Sequence, residues 1–149
     1  MAQYLWFVYA LTAAILWGAG YVLAEKLMKE DGITPAFLMA ASVCITMPLY
    51  FLLSISLGHL KPGIETLTAN KDLIILVVMV ATMTVAGNFF ILMSVSEKNA
   101  TLAALVEITY PLFTFLFAYL ILKDVQLTWA TAGGAVLILT GVGIIVAKG

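Results

Sequence analysis

Residues 101–122 read TLAALVEITYPLFTFLFAYLIL. The run stays apolar over roughly 20 residues, the length that crosses a bilayer core, and its one ionisable side chain is Glu107. It shows no alternation of apolar and polar positions, so a helix is expected rather than a strand of a barrel. A carboxyl group that is charged and unpaired in hydrocarbon is strongly disfavoured, and such a residue usually faces a cavity or a partner. Glu107 is therefore the first candidate site. Pro111 follows four residues later and has no N–H, which leaves the carbonyl of residue 107 without its usual intrahelical partner and predicts a kink there. Ala103, Glu107, Tyr110, Thr114 and Phe117 fall at helical spacing on one face. The alternative for Glu107 is that it snorkels or merely bonds a neighbouring helix.

Four further runs of the same kind flank this one. Candidate spans cover residues 4–24, 35–57, 72–95, 101–122 and 127–147, which makes the chain an all-α polytopic membrane protein with a single five-helix domain over residues 1–149. The composition agrees: of 149 residues, 64% are hydrophobic and 10% charged, with a mean hydropathy of +1.13. Soluble domains run at roughly 45–50% apolar and about 25% charged. The first span has no basic region ahead of it and no small-residue cleavage site, so it is expected to remain as a membrane helix. Pro35 suits the first turn of the second. Between the second and third spans, Gly58, His59, Lys61, Pro62, Gly63, Glu65 and Asn70 mix breakers with polar residues and read as the longest loop. No link exceeds about 15 residues, which leaves no room for an extramembrane catalytic module.

Seven lysines oppose eight acids, and arginine is absent. That balance provides no basic field for nucleic acid. Five crossings put Lys61, Lys71 and Lys123 on one face and Lys26, Lys29, Lys98 and Lys148 on the other. Orientation is normally set by an excess of basic residues on the cytoplasmic side, and this chain has almost none. Either a folding partner or the first helix decides the orientation, or the chain inserts both ways and pairs with an inverted copy of itself.

Other polar and aromatic positions are secondary candidates. Asn88, with Thr84 one turn before it, lines a cavity or bonds across helices. Trp17 and Tyr21 lie one turn apart on the first helix, with Trp17 near mid-span rather than at an interface. Ser42, Thr46 and Tyr50 share a face of the second helix, although such hydroxyls commonly bond their own backbone. Ala14 and Gly18 on the first helix, and Ala130, Gly134 and Gly141 on the fifth, are small residues whose spacing permits close helix packing. Cys44 reads as a small core residue, and His59 as a solvated loop residue with no metal partner. The span interiors hold one acid and no histidine, so no catalytic constellation, metal site or cofactor site can be assembled.

Several stretches resemble an EamA-type domain of the drug/metabolite transporter superfamily. They are Leu16-Trp17-Gly18 with Tyr21-Val22, the run from Gly87 to Ser94, Asn99-Ala100-Thr101-Leu102-Ala103-Ala104-Leu105, the turn Tyr110-Pro111-Leu112-Phe113, and Gly134 with Gly141. The likeness covers essentially the whole chain and is closest to the half-size bacterial and archaeal branch. It implies transport of a small metabolite or drug across a prokaryotic plasma membrane, through a cavity lined by the first four helices with the fifth behind. The absence of arginine separately favours a drug-like cation, a zwitterion or a neutral substrate over a polyphosphate. Larger members resemble two such domains fused. Because an odd number of crossings exchanges the faces, fused halves are inverted, and a lone half restores that arrangement only as an antiparallel homodimer. The chain departs from the family pattern at Ser42, near the place of an arginine, and at Lys123-Asp124, where an acid usually follows the fourth helix. The rival reading is a non-transporting membrane subunit that pairs with another five-helix chain or assembles a larger complex.

Overall fold

The computed structural model describes residues 4–123 and 128–148. Among them there is no strand, and five helices are long and apolar enough to cross a membrane. The protein is all-α and polytopic. The first span, α1, runs Leu5–Lys29, the second, α2, Pro35–Ser56, and a short helix, α3, occupies Leu60–Ala69. The third span, α4, is Lys71–Glu97. The fourth is built from α5 (Ala100–Glu107), α6 (Tyr110–Phe117) and a π-helical turn over Ala118–Leu122. The fifth, α7, is Trp129–Lys148; the residue expected to begin it, Leu127, lies outside the described residues, as does Asp124.

Helix ends follow local chemistry. Thr34 caps α2 by accepting the Phe37 N–H, with Pro35 next in line where a missing N–H costs nothing. The end of α2 closes through Gly58, whose φ of +72° suits glycine. There the Gly58 N–H donates to the Ile55 carbonyl and the His59 N–H to that of Ser54, the paired bonds of a Schellman motif. Pro48 sits inside α2 and leaves it continuous.

The stretch read as the longest loop is corrected by α3. Pro62 falls in its first turn, where its missing N–H has no intrahelical partner to lose. Leu60, Ile64 and Leu67 recur at helical spacing as one stripe, with Lys61, Glu65 and Thr66 off it, so the polar residues of the expected loop are the wet side of an amphipathic helix. At 10 residues it is about 15 Å long, too short to span.

The chain divides into two compact units, residues 26–93 and residues 1–25 with 94–149. The first holds α2, α3 and most of α4, with α3 packed on α2. The second holds most of α1 with α5, α6 and α7, and α5 packs against α7. The covered side chains of this second unit include Tyr21, Ala24, Val95, Ala100, Ala103 and Ala118. Large apolar residues along every span are exposed, which in water would be a severe liability and in lipid is the ordinary condition.

Candidate functional site

The fourth span breaks where its carboxyl sits. α5 ends at Glu107 and α6 begins at Tyr110, with Pro111 in its first turn. Across the joint the Thr109 N–H and hydroxyl both donate to the Val106 carbonyl, at 3.1 and 2.9 Å, and the Leu112 N–H donates to Thr109 at 3.0 Å. These tightened bonds replace the helical bond to the Glu107 carbonyl that Pro111 cannot make.

Glu107 is half-buried and meets Tyr21 of α1. The Tyr21 hydroxyl donates to both carboxylate oxygens, 2.9 Å from Oε1 and 2.7 Å from Oε2. Tyr21 itself is 7% exposed, so the bond is shielded on the tyrosine side. Trp17, one turn back along α1, places its ring 5.8 Å from that of Tyr21 at 48°. Among the described residues no cation pairs with Glu107 and no cluster of three metal-ligating side chains forms. A phenol stabilises a carboxylate through a hydrogen bond and provides no countercharge.

The other sequence candidates lie elsewhere. Tyr110, Pro111 and Thr114 line a cavity of about 430 Å³ between α6 and α7, together with Thr131, Gly134 and Ile138. The break thus parts Tyr110 from Glu107: the former opens on the α7 side and the latter bonds α1. Asn88 belongs to the other unit, half-buried on α4. The Ser42 hydroxyl donates to Leu38, and that of Thr84 to Val80, so both bond their own backbone. Among the described residues a Cβ built on Gly18, Gly134 or Gly141 would meet nothing within 4 Å, and Ala14 is exposed.

One residue escaped sequence reading. Glu25, at the end of α1, accepts the Ala100 N–H at the start of α5 through Oε2 at 2.8 Å. Its signal was topological: the end of the first span and the start of the fourth lie on the same side of the membrane, where an acid can accept from a first-turn N–H that the Asn99 cap leaves over.

Comparison with known families resolves what the helices belong to. The model of the EamA-like transporter family matches residues 4–147. The chain belongs to that family. It is thus a multi-pass membrane protein of the drug/metabolite transporter superfamily, whose EamA members are transporters rather than enzymes. No curated protein and no solved structure matches the chain.

Proposed function

We propose that this EamA-family chain carries a small cationic or zwitterionic metabolite, or a drug of that charge, by alternating access, with Glu107 as the group that takes up a proton or the cation and releases it on the other side. The observation that carries the reading is the Tyr21–Glu107 contact, an intramembrane carboxyl held by a neutral donor. Trp17 beside it offers an aromatic face to a cation, an interaction worth about 0.5–2 kcal/mol depending on desolvation. Tyr110 and Asn88 are assigned to the pathway on their sequence positions. The working unit is an antiparallel homodimer in a prokaryotic plasma membrane, supported by the near-even lysine split and by the odd number of spans.

A thermal-shift panel of amino acids, polyamines and quaternary or phosphonium cations tests this on the purified chain, because a ligand that binds the folded state raises apparent stability by mass action. At least one member should stabilise the wild-type protein and fail to stabilise Glu107→Gln. Ligands that stabilise both equally would remove Glu107 from the site.

A further inference from the structure

We propose that Glu25 is a positioning residue for the Glu107 site, setting the register of α5 against α1 so that the Glu107 carboxyl stays under the Tyr21 hydroxyl. Two ties join the same pair of helices: Glu25 to the Ala100 N–H, and Tyr21 to Glu107. Tyr21 and Glu25 are four residues apart on one face of α1, about 6 Å along its axis; Ala100 and Glu107 are seven apart on one face of α5, about 10 Å along its own. The later α1 residue binds the earlier α5 residue and the earlier binds the later, the order that an antiparallel pair requires. The long Tyr21 and Glu107 side chains take up the difference in spacing. Between α1 and α5 alone, a single tie fixes one point and leaves rotation about it. The second removes that freedom.

The Glu25 tie is strong enough for this role. A helix N-terminus carries roughly half a positive charge, and a carboxylate that accepts a backbone N–H there makes a charge-assisted bond. Asn99 takes the Leu102 N–H at 2.8 Å, leaving that of Ala100 to Glu25. Ala100 is 3% exposed, so with the carboxylate in place its N–H is shielded from solvent. Below the ties the span is broken at residues 108–109, so both ties lie on the α5 side of the joint.

The infrared difference between wild-type protein and Glu107→Gln, both full-length in lipid, isolates the Glu107 carboxyl band. Tyr21→Phe should displace that band, and Glu25→Ala should displace it in the same direction. Glu25→Gln, whose amide oxygen accepts from the same N–H, should leave it at the wild-type position. Adding Glu25→Ala to Tyr21→Phe should move it no further. Where Glu25→Ala does not fold, Ala100→Pro takes its place: it removes the N–H at a first helical position that favours proline, after an Asn99 whose ψ of 165° suits a residue preceding proline. A band at its wild-type position in Glu25→Ala or in Ala100→Pro, with or without a lower melting temperature, overturns the proposal. It rests on the reading of Glu107 as the transport site. The band reports the contact and flux reports that reading, so wild-type flux in Glu107→Gln would remove the reading and leave the band result standing.

Discussion

Tyr21 and Glu107, 86 residues apart in sequence, share one hydrogen bond donor between two carboxylate oxygens at 2.9 and 2.7 Å. The contact links the first and fourth spans at the point where the fourth is broken. Its strength sets the first expectation. Hydrogen bonds to charged groups contribute about 1.5–3 kcal/mol, and Glu107 is half-exposed, so Tyr21→Phe should cost about 1 kcal/mol of stability. Unfolding in detergent measures this, and Glu107→Gln should then cost less in the Tyr21→Phe background than alone, since coupled residues are not additive.

Pro111→Ala restores an N–H opposite the Glu107 carbonyl. The joint at residues 108–109 should close into continuous helix, read as slower amide exchange over residues 108–112. If the broken helix is used in the transport cycle, flux should fall several-fold while ligand-induced stabilisation persists. Fast exchange retained in the variant would show that Pro111 is not what breaks the span.

Gly58 holds φ +72° at the end of α2. An alanine there brings the left-handed penalty of about 1–2 kcal/mol, with no steric clash to add, because a Cβ at this position meets nothing within 4 Å. Gly58→Ala should lower the melting temperature in detergent, and Gly58→Asn should lower it less, asparagine being the better tolerated residue at such a position.

The lysine split predicts that reporters fused to the C-terminus are active on both sides of the membrane. Two lysines added after Lys148 should drive the population to a single orientation and abolish flux. Flux should return on co-expression with a variant biased the other way. Activity from one side alone in the unmodified chain would point to a fixed-orientation subunit.

How far the sequence could be read depended on the range of each interaction. The spans were legible because each is a long apolar run, and composition alone decides that. α3 was not, because Pro62 and Gly63 signal a break in isolation, and only their place in the first turn makes them harmless. Glu107, Tyr21, Trp17 and the Pro111 joint stood out singly by residue type. That Tyr21 bonds Glu107, that Tyr110 faces α7 instead, and that Glu25 accepts the Ala100 N–H are long-range facts with no local signature. The glycines of α1 and α7 marked possible close approach by spacing alone, and among the described residues a Cβ on Gly18, Gly134 or Gly141 would meet nothing within 4 Å.

The central claim is that Glu107 carries the transported charge. Its most direct test is proton-coupled flux in reconstituted vesicles, using the ligand that stabilises the wild-type chain, compared between wild type, Glu107→Asp and Glu107→Gln. Flux should vanish in Glu107→Gln, with expression and dimerisation intact, and survive at a reduced rate in Glu107→Asp. Undiminished flux in Glu107→Gln would contradict the account.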